Sequence, residues 1–168
     1  ISQSFKFFCL HLTKLKTMGK QVVQFEYEII SNLDDLVNED KVLMEWANKA
    51  KEHAYAPYSN FKVGAALVDS NGKVFMGANM ENASFPICIC AEGALLTSYN
   101  TDGAAANIES VAITASSASH IVNHPVAPCG ACRQMLSEME IKQKKHIRLI
   151  LMGETGPIYI IKSIKDIL

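Results

Sequence analysis

Two cysteine clusters constrain this chain more than any other feature: Cys90-Ala91-Glu92, and Pro128-Cys129-Gly130-Ala131-Cys132. If their thiolates serve one metal ion, the fold must bring two distant stretches to a single point. Together they offer three sulfur ligands, with one carboxylate beside them that need not be a ligand. A catalytic zinc has three protein ligands and an open fourth position, whereas a structural zinc is closed by four. A carboxylate next to an open position is placed to carry protons. The expected assignment is therefore Cys90, Cys129 and Cys132 on one zinc ion per chain, and Glu92 on proton transfer. In that reading, water activated at the ion is the nucleophile, and Glu92 takes a proton from that water and returns it to the substrate.

A closed alternative would use Cys88 as a fourth thiolate. Only one residue separates it from Cys90, unlike the usual zinc-knuckle spacing, and it reads better as a small buried hydrophobe. Cys9 brings the total to five. An odd count that includes a Cys-x-x-Cys pair argues against a disulfide framework. It fits a reducing compartment, so the expected location is the cytoplasm.

The pattern of apolar residues places both clusters at helix starts. Glu39 to Tyr55 reads as a helix, with Val42, Leu43, Trp46, Ala47 and Ala50 at helical spacing and Asn38 as its N-cap. Phe61 to Val68 and Lys73 to Ala78 read as strands joined at Asn71-Gly72, a strong hairpin signal. Cys90 to Tyr99 and Gly130 to Glu138 read as helices. Ser110 to Ala115, Ile147 to Met152 and Ile158 to Ile161 read as strands. Strands alternating with helices after an opening hairpin argue for an α/β sandwich with a mixed sheet. A helix N-terminus carries unpaired N–H groups and partial positive charge, which favour a thiolate over a thiol.

Bulk properties narrow the function further. The chain is 49% apolar and 20% charged, with a net charge of -1. No apolar run is long enough to span a bilayer, so no membrane partner is expected. There is no basic stripe in the body of the chain to neutralise a phosphate backbone, which disfavours a nucleic acid polymer as partner. Lys6, Lys14, Lys16 and Lys20 precede the first acid, Glu26, and are interleaved with Phe5, Phe7, Phe8 and Leu10. Lys6 and His11 interrupt that apolar run, which makes a secretory signal a poor reading. Residues 1–37 are read as an N-terminal extension, with Met18 a candidate start of the natural chain. Residues 38–168 are read as a single catalytic domain.

With the motifs in view, the chain resembles the small, homotetrameric, three-cysteine cytidine deaminases from Leu43 to Leu168. The resemblance is carried by the run Tyr55-Ala56-Pro57-Tyr58-Ser59-Asn60-Phe61-Lys62-Val63-Gly64-Ala65-Ala66-Leu67. It continues through Gly77-Ala78-Asn79-Met80-Glu81-Asn82-Ala83-Ser84, the two cysteine clusters and Arg133-Gln134. It implies a three-layer α/β/α sandwich with a mixed five-stranded sheet. It also implies zinc-dependent deamination of free cytidine and deoxycytidine in pyrimidine salvage, in a homotetramer with shared active sites. Phe61 would pack against the pyrimidine, Asn79 and Glu81 would hold the ribose at its 3′ hydroxyl, and Ala91 would offer backbone contacts to the base. The residues agree in part. Asn79 and Glu81 end a strand on one face, and a carboxylate there would repel a 3′ phosphate. Taken without that company, Asn79 and Glu81 read as a polar turn, Phe61 as a core aromatic and Glu92 as a solvated helix residue.

The chain also departs from the family pattern. Gly93 stands where relatives usually carry Arg or Gln, so a side-chain donor to the thiolates is missing. The interval between the cysteine clusters is long, and Ile167-Leu168 reads as the start of the ending that carries a late aromatic in relatives. Two rival functions follow: deamination of a related small molecule such as blasticidin S, and a catalytically weak zinc-binding homologue.

Overall fold

The structure is a computed structural model that describes residues 22, 24–103 and 105–168. Cys9, Met18 and the lysines of the extension lie outside the described residues. In chain order the elements are β1 (Tyr27–Ile30), α1 (Asn38–Glu52), β2 (Phe61–Asp69), β3 (Val74–Ala78), α2 (Ala91–Thr101), β4 (Ile108–Ser117), α3 (Gly130–Gln143), β5 (Arg148–Leu151) and β6 (Ile158–Ile161). The strands form one sheet in the order β1-β6-β5-β4-β2-β3. Only β4 and β5 pair in parallel, so the sheet is mixed, as expected.

Side chains part to opposite faces with the strand's period of two. β2, β4 and β5 send Ala65, Leu67, Val111, Ile113, Leu149 and Leu151 to one side, where Leu95, Leu96 and Tyr99 of α2 and Leu136 of α3 cover them. Ala66, Ala112 and Ile150 face the other side, against Leu43, Met44 and Ala47 of α1. The result is the three-layer α/β/α arrangement. Strands buried on both faces read as continuous apolar runs, which is why β4 and β5 were visible in the sequence.

The sheet has six strands where five were expected. The sixth is β1, which pairs antiparallel with β6 from Tyr27↔Ile161 to Ile30↔Ile158. It lies within the segment expected to be an extension, and Leu36, just after it, is buried in the α1-side cluster. Packed structure thus begins ahead of Asn38. β1 is an edge strand of four residues, mostly exposed, so it lacks the buried alternation that marks a strand in sequence.

Two close approaches fix the helices on the sheet. A Cβ on Gly64 would lie 2.1 Å from the Ala47 carbonyl oxygen, so α1 rests directly on β2. A Cβ on Gly77 would lie 2.3 Å from the Ala91 carbonyl oxygen and 2.4 Å from the Leu95 nitrogen. The first turn of α2 is therefore seated on β3. Helix α1 starts one residue earlier than expected. Val37 is its N-cap and makes no side-chain cap hydrogen bond, so Asn38 is helical rather than capping. Asp40, in its first turn, grips Arg148 of β5 with two hydrogen bonds of 2.5 and 2.6 Å. The expected hairpin turns at Gly72, whose φ is +78°. The Asp69 carboxylate accepts from the N–H groups of Asn71 and Lys73 across it.

Candidate metal centre and substrate cleft

Cys90 is the N-cap of α2 and Cys129 the N-cap of α3, with Cys132 in the first turn of α3. The Sγ atoms of Cys90 and Cys129 are 3.7 Å apart, and those of Cys129 and Cys132 are 3.5 Å apart. All three sulfurs lie within 4.8 Å of one another. Tetrahedral zinc holds sulfur at about 2.3 Å, which separates the ligands by roughly 3.8 Å. The donor set and its spacing fit that ion. Two helix N-termini face it, as the sequence suggested, and offset part of the charge of three thiolates.

The electrostatics of the three thiols follow from their crowding. Burial pushes the Cys132 thiol far above the ordinary range, and the neighbouring Glu92 adds to this. Burial also raises Cys90, followed by the Cys129 thiol beside it. Cys129 is lowered, chiefly by the backbone N–H of Cys132. Thiols this close oppose one another's ionisation, an effect a cation among them would relieve.

Cys88 is not a member of the sulfur group. Contrary to the sequence expectation it is exposed, not buried. Its thiol accepts from the Asn82 N–H at 3.2 Å and donates to the Asn82 carbonyl at 3.7 Å.

Glu92 follows Cys90 by two residues and is only 4% exposed. Burial raises its pKa, opposed by hydrogen bonds from its own backbone N–H and from the Cys132 thiol. A carboxyl group shifted upward in this way is better suited to proton transfer than an exposed one.

A cleft of about 300 Å³ opens beside the cluster and brings Asn79, Glu81, Ala91 and Glu92 together with Cys90 and Cys129. Asn79 is clipped to β2: its Oδ1 accepts from the Val63 N–H at 2.7 Å and its Nδ2 donates to the Phe61 carbonyl at 3.0 Å. Glu81 is held through Oε2 by the N–H groups of Tyr58 and Ser59. Phe61 is not among the residues lining the cleft. Val63 lines it instead, with Met80, Phe85, Cys88, Ile89, Val126 and Ala127. Some of these had a signal in the sequence. Val63 shares a strand face with Phe61, and Val126-Ala127 directly precede the second cluster. Met80 and Ile89 had none, because they meet through an isolated bridge between two loops.

The layers and the cysteine cluster together place the molecule among deaminase-like α/β/α sandwiches. A crystal structure of cytidine deaminase from Burkholderia pseudomallei superposes with a TM-score of 0.65 at 42% identity, covering 76% of this chain and 94% of that one. A second, from Mycobacterium leprae, gives 0.59 at 30% identity, covering 79% and 98%. A cytidine deaminase of Halalkalibacterium halodurans is 41% identical over 99 residues, which is 59% of this chain and 70% of that protein. Residues 37–146 match the family model described as the cytidine and deoxycytidylate deaminase zinc-binding region. The chain belongs to the cytidine and deoxycytidylate deaminase family. Among the described residues, no helix is long and apolar enough to cross a membrane.

Proposed function

We propose that this chain hydrolyses free cytidine and deoxycytidine to uridine and deoxyuridine, with one zinc ion held by Cys90, Cys129 and Cys132. One observation carries the reading: a buried carboxylate, Glu92, adjoins three convergent sulfurs in the same cleft as a polar edge made by Asn79 and Glu81. The ion, when bound, supplies Lewis acidity that lets a water lose its proton near neutral pH.

The remaining chemistry belongs to the chain's own residues. Glu92 accepts one proton of the attacking water and passes it to the pyrimidine ring nitrogen, then takes the proton of the newly added hydroxyl and delivers it to the amine, which leaves as ammonia as the C–N bond breaks and the carbonyl forms. Burial raises its pKa, the direction that suits a group exchanging protons with the substrate. The Ala91 backbone, between Cys90 and Glu92, is positioned to contact the base. Asn79 and Glu81 meet the sugar. Asn79 spends one hydrogen and one lone pair on β2 and keeps the others for a ligand. Phe61 is assigned to pack against the pyrimidine, and Val63 and Phe85 give the cleft an apolar wall.

The same reading makes the enzyme a cytoplasmic homotetramer acting in pyrimidine salvage, with sites completed by neighbouring subunits. Phe85 and Ile89, which line the cleft, and Tyr58, whose ring meets that of Phe85 edge-on, are left exposed. Exposed apolar surface of this kind suits a subunit contact.

Glu81 provides the test of substrate class. Its charge at the sugar edge should make cytidine 3′-monophosphate, or a cytosine within an oligonucleotide, a far poorer substrate than cytidine. Steady-state rates on the three compounds check this. Comparable rates would overturn the free-nucleoside reading.

A further inference from the structure

Glu81 does not enter the cleft as a free side chain, because a turn of the chain holds it. Its Oε2 accepts from the backbone N–H groups of Tyr58 at 2.9 Å and Ser59 at 3.2 Å. Both amides belong to the turn between α1 and β2, which is closed by the Asn60 N–H donating to the Ala56 carbonyl at 3.0 Å. Asn60 has a φ of +55°, the left-handed region that Asn tolerates better than most residues. The Asn60 carbonyl in turn accepts from the Ala118 N–H, just past β4, at 3.1 Å. The Glu81 N–H donates to the Tyr55 carbonyl at 2.7 Å, so turn and carboxylate are also joined through the main chain.

Ser59 is the hub of this arrangement. Its Oγ accepts from the Phe61 N–H at 3.0 Å, which ties the turn to the first residue of β2. With that lone pair engaged, the hydroxyl hydrogen remains to serve an acceptor. The Glu81 carboxyl is held below its ordinary pKa, first by the Ser59 hydroxyl and then, against desolvation, by the two amides.

We propose that Ser59 is a positioning residue for Glu81. Through this turn it fixes the carboxylate by one oxygen and leaves Oε1 for a sugar hydroxyl of the ligand. The inference rests on the reading of the cleft as a nucleoside site and adds how that site is made selective. A carboxylate ordered in advance loses little side-chain freedom on binding, so its hydrogen bond to the ligand is made at smaller entropic cost. Ser59 touches neither the reacting atoms nor the ligand, and it acts only through Glu81.

A double-mutant cycle on the metal-replete enzyme tests this, with cytidine as substrate and Ser59→Ala, Glu81→Gln and their combination as variants. Ser59→Ala should raise KM by about threefold to tenfold, the scale of losing the hydroxyl's one hydrogen bond that closes the turn onto Phe61, while kcat stays within about twofold. In the Glu81→Gln background the same change should move KM by less than about twofold, since interacting sites are not additive. Ser59→Thr keeps the hydroxyl and should restore KM. If Ser59→Ala fails to fold, Ser59→Cys takes its place in the cycle. An unchanged KM in Ser59→Ala, or an equal loss in both backgrounds, would overturn the proposal. A wild-type protein inert toward cytidine would overturn the functional reading itself, and this inference with it.

Discussion

Glu92 is where burial and chemistry meet at the scale of a residue. A glutamate 4% exposed is costly as an anion unless it is paired, and burial accordingly raises its pKa. Glu92→Gln keeps the shape and removes the transferable proton. It should therefore retain the metal and the fold while kcat falls by about 10²–10⁴-fold or more, the usual contribution of a positioned acid or base. Metal analysis and a turnover assay on one preparation check this. A variant within a few-fold of wild type would remove Glu92 from the reaction. Its place was legible in the sequence because its distance from Cys90 fixes which turn of α2 it occupies. The apolar lining of the cleft was less legible, since Val63 lies two residues from Phe61 on one strand face and only the fold shows that Val63 lines the cleft.

At the scale of elements, glycines separate into two kinds. Gly77 is where α2 rests on β3, and a methyl group there would collide with main-chain atoms of Ala91 and Leu95. Gly93 lies in the first turn of α2, and a methyl group there would meet only Ile89 at 3.5 Å and Met135 at 4.0 Å, both ordinary contacts. Gly77→Ala should cost about 1–3 kcal/mol through overpacking and should shift the metal cluster that α2 carries. Gly93→Ala should stabilise by up to about 1 kcal/mol, because alanine restricts the unfolded chain and favours helix. Urea unfolding of the two variants separates them, and stabilisation by Gly77→Ala would contradict the close approach. Gly93 was singled out in the sequence as a missing donor to the thiolates, whereas the packing shows it as an open position. The central strands and all three helices could be read from periodicity, because each has a face buried against another layer. β1 could not, since its partner β6 lies more than a hundred residues away and its own side chains are mostly exposed.

For the whole molecule, the central claim is that two cysteine clusters, brought together by α2 and α3, make one metal site that serves one cleft. The cysteines themselves were read from the sequence. Their convergence was a requirement of that reading, and the spacing of 3.5 and 3.7 Å between sulfurs meets it. The size of the cleft and its lining by loop residues such as Met80 and Ile89 depend on the fold as a whole, so local pattern could not supply them. The measurement that tests the claim most directly is cytidine turnover by the purified chain, followed as uridine and ammonia, before chelation, after removal of the metal, and after zinc is returned. The expected result is equal amounts of both products, loss of turnover and a lower unfolding temperature without the metal, since an ion that binds only the folded state stabilises it, and recovery on adding about one zinc per chain. Turnover that survives complete metal removal, or a metal-replete protein that yields no uridine, would contradict it.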